Sequence, residues 1–124
     1  MRLVVVGPCA SGKTTLVGKL RDSGVNAFNV AQEHSGVKKL WQKKCPDILI
    51  MLDASMAAIR QRRNVPWGEE RLMAQHERLV DARANADLYL YTDNLTADEV
   101  LAAVLAYINK SDGVDNGSNN CRRP

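Results

Sequence analysis

No apolar run in this 124-residue sequence is long enough to cross a bilayer. The longest, Leu3 to Val6 and Ile48 to Leu52, fall far below the roughly 20 residues a spanning helix needs. The N-terminus also lacks the apolar h-region of a secretory signal. Cysteine is scarce: Cys9, Cys45 and Cys121 are an odd set without metal-ligand spacing, which argues against a disulfide framework and fits reduced thiols in a cytosol. A cytoplasmic protein with no membrane partner is therefore expected. Excess charge is missing too. With a formal net charge of +3 and 25% charged residues, the chain lacks the basic density of a dedicated nucleic-acid binder, so nucleic acid is not an expected partner. No internal repeat is found. What is present, 45% hydrophobic residues over a length suited to one core, predicts one domain over 1–110. The tail 111–124, SDGVDNGSNNCRRP, is polar and rich in Asn and Gly; with nothing to bury, it is expected to be disordered.

Strands and helices alternate along the pattern. Leu3 to Val6 is a short unbroken apolar run, as in a strand buried on both faces of a parallel sheet. From Lys13 the period changes to that of a helix, with Leu16, Val17 and Leu20 on one face and Gly24 as its C-terminal stop. Val25 to Val30 predicts a second strand and Asp47 to Leu52 a third. Ser55 can cap a helix through about Arg63. A long helix is predicted from Glu69 to Ala84 with Leu72, Met73, Leu79 and Val80 as its apolar stripe. Leu88 to Tyr91 reads as a fourth strand, and Thr96 with Glu99 forms a capping box that opens a last helix from Ala97 to about Asn109. This alternation implies a parallel sheet with right-handed crossovers and helices on both faces. Ligands of such sheets bind outside the carboxyl ends of the strands.

The first junction carries the chemistry. Gly7, Gly12, Lys13 and Thr14 fill the fixed positions of G-x-x-x-x-G-K-[ST], the Walker A phosphate loop, between a buried strand and a helix. A bare glycine turn opening an amphipathic helix would not require that context. The backbone of Gly7, Ala10, Ser11, Gly12, Lys13, Thr14 and Thr15 is expected to curl around a di- or triphosphate at the helix N-terminus. Lys13 would neutralise the β and γ phosphates, and Thr14 would offer its hydroxyl to Mg²⁺. Cys9 occupies a free position of the loop, where a small side chain is tolerated; redox gating of the loop is the alternative role.

With the loop placed, residues 2–109 resemble the small-molecule kinases of the P-loop NTPase superfamily, such as nucleoside monophosphate, shikimate and gluconate kinases. LVVVGPCASGKTTL is similar to their opening strand, loop and helix. DILIMLDASMAAIRQRR resembles their fourth strand and the helix that leads into a lid with phosphate-contacting arginines. RLVDARANADLYLYTDNLTADEVLAAVL resembles their closing segment, whose last loop borders the adenine. The resemblance implies a three-layer α/β/α P-loop fold with a small, mostly parallel sheet of four to five strands, ATP and Mg²⁺ as cofactors, and transfer of the γ-phosphate to a small-molecule acceptor. Those kinases carry an acceptor region and an additional strand where this chain has only AQEHSGVKKLWQKKCP. With that strand absent, Val25 to Val30 should lie directly beside the phosphate-loop strand and deliver Gln32, Glu33 and His34 to the γ-phosphate. Glu33 would then serve as a Mg²⁺-water ligand or a catalytic base. The D-x-x-G and N-K-x-D motifs of GTPases are absent, which favours ATP over GTP.

The remaining candidates each carry two explanations. Asp53 ends an apolar strand as a Walker B aspartate does, for a water-mediated Mg²⁺ contact, or it helps start the following helix. Arg63, then Arg62, should emerge where the core meets the cleft and stabilise transferred charge, or be solvated cations at a helix end. His76 is expected as a packed, hydrogen-bonded core histidine rather than a catalytic one, and Arg78, placed ahead of AD as the substrate-contacting arginine is in shikimate-kinase-like sequences, as an exposed charge on its helix. Lys38, Lys39, Lys43 and Lys44 around Trp41 could grip and stack a nucleic-acid base, or form a solvated face over one anchoring tryptophan. Trp67 caps a lid or closes the core edge. Two functions follow: a minimal kinase with Lys13, Glu33, Arg63 and Arg62 as its catalytic set, or a slow NTPase switch that signals to a protein partner through residues 32–44.

Overall fold

The computed structural model describes residues 2–111, so all but the first residue of the predicted tail lies outside the described residues. Among them are four strands, β1 (Arg2–Val6), β2 (Asn26–Asn29), β3 (Ile48–Asp53) and β4 (Leu88–Tyr91), and five helices, α1 (Lys13–Asp22), α2 (Met56–Arg62), α3 (Glu69–Arg78), α4 (Val80–Asn85) and α5 (Ala97–Ser111). The strands form one parallel sheet in the order β2-β1-β3-β4. β2 does lie directly beside β1, with Val5 opposite Asn29. The segment between β2 and β3 contributes two 3-10 turns, Gln32–His34 and Leu40–Lys44, and no strand.

Alternate side chains of the central strands feed two cores, one on each face of the sheet. Leu3, Val5, Ile50 and Leu52 pack with Leu16 and Leu20 of α1 and Val100 and Val104 of α5. Val4, Val6, Leu49 and Met51 pack on the other face with Trp41, Leu79 and Ala82. This makes three layers, α/β/α. Burying each such aliphatic side chain contributes roughly 1.5–3 kcal/mol, so the rigid centre of the molecule is the pair β1 and β3. The loops that leave their C-terminal ends are anchored on it.

Local signals place the helix ends. Ser55 Oγ accepts from the Ala58 N–H, and Thr96 and Glu99 exchange the two bonds of a capping box. α5 runs to Ser111, slightly past the predicted end. The single helix predicted from Glu69 to Ala84 is instead two, α3 and α4, divided at Leu79. Its predicted stripe also needs correction: Met73 and Val80 are 66% and 61% exposed. The buried face is Leu72, Gln75, Leu79 and Ala82. Met73 and Val80 each sit one residue, about 100°, around from that face. Among the described residues no helix is long and apolar enough to cross a membrane. Cys45 is disulfide-bonded rather than a free thiol as expected; Cys9 is free.

Candidate functional site

The loop that follows β1 is held open by its own sequence. A Cβ on Gly7 would run into the Leu52 carbonyl oxygen of β3, so only glycine lets the loop start this close to the sheet. Ala10 (φ 60°) and Gly12 (φ 102°) take left-handed conformations that turn the chain into α1, and Lys13 is the first residue of that helix. The N–H groups of the first turn of α1 have no intrahelical acceptor and face the turn. Outer contacts brace the curl. Arg62 donates to the carbonyl of Ala10 at 3.0 Å, Thr92 Oγ1 to that of Ser11 at 3.1 Å, and the Cys9 N–H to Gln75 Oε1 at 3.0 Å.

Lys13 lies inside the loop. Its ammonium donates to the carbonyls of Gly7 (2.7 Å) and Pro8 (3.0 Å) and to Glu33 Oε2 (2.7 Å). The pair is buried, with side chains 8% and 5% exposed. Glu33 Oε1 is buried and has no hydrogen-bond partner among the described residues. Glu33 reaches Lys13 because β2 runs beside β1 and turns immediately at Gln32–His34. Gln32 fixes that turn: it is fully buried, donates to the Val37 carbonyl at 2.7 Å and accepts from the Trp41 N–H at 2.9 Å. Arg78 donates to the Glu33 carbonyl at 3.2 Å. On the other side of the loop, Asn29 at the end of β2 donates to Thr14 Oγ1 at 3.2 Å.

These groups border a cavity of about 440 Å³ lined by Cys9, Lys13, Thr14, Thr15, Glu33, His34, Arg62 and Arg63 among others. The predicted Gly12, Lys13, Thr14, Glu33, Arg62 and Arg63 are thus brought together. Arg62 spans the loop and Thr92, while Arg63 caps α2 at the cavity wall. A smaller cleft continues from Ser11, Gly12 and Thr15 toward Thr92, Leu95 and Val100.

Asp53 is placed elsewhere. Its Oδ1 accepts from the Ala54 N–H at 2.8 Å and lies 2.9 Å from His76 Nε2, while Oδ2 accepts a short bond from the Tyr89 hydroxyl. Both oxygens are engaged, and Asp53 is not among the residues lining the cavity that holds Thr14. Burial, and then the bond to Asp53 and its charge, push the Tyr89 phenol up to about 12. His76 is not the packed core histidine expected: its side chain is 37% exposed and paired with Asp53, because the buried stripe passes through Gln75 beside it. Trp41 is fully buried and donates its indole N–H to Asp81 at 2.9 Å, and Lys39 pairs with the same carboxylate. Burial alone would raise Asp81, but the bonds from Lys39 and Trp41 and the nearby lysine charges outweigh it and hold the carboxyl below its ordinary value. Trp41 is therefore an anchor under a charged face and offers no base-stacking surface. Trp67 packs partly buried against the cluster of Ala54, Met56, Ile59 and Leu72.

Three polar contacts were not anticipated: Asn29 on Thr14, Gln75 on Cys9, and the donation to the Glu33 carbonyl by Arg78, which is exposed as expected. Gln75 could have been suspected as a polar residue on the apolar stripe. Nothing local marks the other two.

Strand, glycine loop and helix at the centre of a parallel sheet define a three-layer α/β/α fold. The chain is similar in structure to the YorR protein of Bacillus subtilis, crystallised in complex with phosphorylated GDP, with a TM-score of 0.67 and 12% identity over 94% of this chain and 100% of that one. At that identity the likeness is one of fold. No family model and no curated protein matches the chain.

Proposed function

We propose that the chain binds a purine nucleoside triphosphate at the loop and transfers its γ-phosphate to a small hydroxyl-bearing acceptor, the working unit being residues 1–110 of a cytoplasmic protein. The observation that carries this proposal is the buried 2.7 Å contact between Lys13 and Glu33 at the mouth of the loop, beside Thr14 and Arg63. A loop that only turned a strand into a helix would have no use for a buried ion pair. Such pairs are retained at a desolvation cost that apolar residues would avoid.

The phosphates would lie on the N–H groups of Gly12, Lys13, Thr14 and Thr15, with Ala10 and Ser11 shaping the curl. Lys13 would exchange its carbonyl and carboxylate partners for β- and γ-phosphate oxygens. That exchange releases Glu33, which accepts the proton of the acceptor hydroxyl as its oxygen bonds to the γ-phosphorus and the bridge to the β-phosphate breaks, leaving the diphosphate. Arg63, with Arg62, would stabilise the charge on the transferred group. The residues present fit Mg²⁺: the Thr14 hydroxyl oriented by Asn29, and a buried Glu33 oxygen without a partner among the described residues. Held there, Mg²⁺ would supply neutralisation of the phosphate charge that develops during transfer. Asp53, with both oxygens occupied, stands behind Glu33 for that role.

A second reading has its own support. Glu33 belongs to the segment 32–44, locked by Gln32 and Trp41, so a γ-phosphate that takes Lys13 would cut that segment's ion-pair tie to the loop. In that case the product is a signal to a protein partner and hydrolysis is slow. One experiment separates the two: nucleotide consumption by the full chain with Mg²⁺, using ATP and, because the YorR complex holds phosphorylated GDP, GTP. It is run with and without pooled nucleoside monophosphates, nucleosides, sugars and hydroxy acids. Acceptor-dependent release of diphosphate establishes the kinase. Triphosphate binding with no acceptor effect rejects it in favour of the switch.

A further inference from the structure

We propose that Cys9, His34 and Glu33 form a site for a zinc-class divalent ion at the rim of the phosphate cleft, with three protein ligands and a fourth position open to the cavity. The three donors come from two elements that the fold brings together, the phosphate loop and the turn after β2. Cys9 Sγ lies 3.1 Å from His34 Nε2, and the same nitrogen lies 3.7 Å from Glu33 Oε2. A ligand atom from each of the three lies within 4.8 Å of the other two. Tetrahedral zinc, with bonds of about 2.0–2.3 Å, sets its ligand atoms roughly 3.3–3.6 Å apart, so the 3.1 and 3.7 Å spacings of His34 to Cys9 and to Glu33 need only small side-chain adjustment.

The surroundings are those of a binding site. Glu33 Oε2 lies between Lys13 and the site, and Oε1 is buried without a partner among the described residues, so the carboxylate has coordinating capacity beyond its bond to Lys13. Cys9 is held from behind: its N–H donates to Gln75 Oε1, and Gln75 Nε2 lies 3.5 Å from its sulfur. Gln75 is itself buried. This is the outer support that orients a metal ligand. The His34 side chain is 55% exposed and leaves a path for entry.

The donor set also selects the ion. A thiolate and an imidazole suit Zn²⁺ and Co²⁺ and do not suit Mg²⁺, which takes oxygen ligands. The site therefore differs in chemistry from the phosphate-bridging position at Thr14, even though both reach Glu33.

Titration of the full chain with Co²⁺ alone, without nucleotide, tests the proposal. The expected result is a thiolate-to-cobalt charge-transfer band and tetrahedral visible bands that saturate at one ion per chain and are displaced by Zn²⁺ but not by Mg²⁺. Cys9→Ser should remove the charge-transfer band. Loss of a ligand should weaken Co²⁺ binding by about tenfold or more, the lower end of what losing even an outer support costs. His34→Gln should weaken binding similarly and serves as the second variant if Cys9→Ser is poorly folded. Absence of the band, or its persistence in Cys9→Ser, which would assign it to another cysteine, overturns the proposal. Because the probe is the metal alone, neither result depends on whether the loop binds a nucleotide.

Discussion

Breaking the Lys13–Glu33 pair tests the centre of the site. Lys13→Met would leave the Glu33 carboxylate buried with one oxygen already unpartnered among the described residues and no ammonium at 2.7 Å. Removing one member of a buried pair costs about 3–5 kcal/mol. Glu33→Gln is milder, because the ammonium keeps the carbonyls of Gly7 and Pro8 at 2.7 and 3.0 Å and gains an amide oxygen. The expected cost is about 1–2 kcal/mol. The double variant removes both charges, so the two losses should not add, leaving a coupling energy of about 2 kcal/mol. Urea titrations at constant m read these values. For a domain of this size each 1 kcal/mol moves Tm by roughly 3–5 °C, so Lys13→Met should melt roughly 10–25 °C lower. Nucleotide binding gives the independent check. Without Mg²⁺, Glu33→Gln should bind a triphosphate at least as tightly as the parent chain, since its lysine is less firmly held, while Lys13→Met should lose binding. Equal loss in both variants, or a coupling within about 0.5 kcal/mol of zero, would refute the reasoning.

Other outcomes follow from single sites. Gly7→Ala drives a Cβ into the Leu52 carbonyl, so the loop must leave β3; circular dichroism melts should show destabilisation and nucleotide titration a loss of affinity. Gly18→Ala, on the exposed side of α1 with nothing within 4 Å of the added carbon, should stabilise by about 0.5–1 kcal/mol. Tyr89 is raised from 10.0 to about 12, so its neutral form is favoured by folding. Its contribution is complete below pH 10 and is lost as the pH rises toward 12. Tyrosinate absorbance should show one of the three tyrosines ionising late in the native protein, and Asp53→Asn should bring that step down.

What the sequence disclosed was local, or followed from an omission. The loop was legible because Gly7, Gly12, Lys13 and Thr14 are read at fixed spacing beside a strand and a helix. The approach of Glu33 to Lys13 was legible because too little chain lies between β2 and β3 to make another strand, which leaves β2 next to β1. The supports were not legible. Gln75 meets Cys9 across 66 residues and Arg78 meets Glu33 across 45, and a helix pattern does not say which neighbour faces a given turn. Met73 and Val80 misled because a hydrophobic residue at the margin of a stripe looks like part of it. The break at Leu79 carries neither proline nor glycine to announce it.

The four-strand order has a consequence for association as well as for chemistry. In the order β2-β1-β3-β4, β2 is left as a border, and a border strand is an invitation to intermolecular sheet growth. Here the invitation is withdrawn by side chains. Arg21 of α1 donates to the Ala27 carbonyl at 2.8 Å, occupying an acceptor that a docking strand would need. The Arg21 guanidinium and the Lys44 ammonium lie 5.7 and 5.3 Å from the centre of the Phe28 ring, placing two cations along the same border. At four residues, β2 is also too short to template much. α1 thus serves at once as the helix that the glycine loop enters and as the guard of the β2 border.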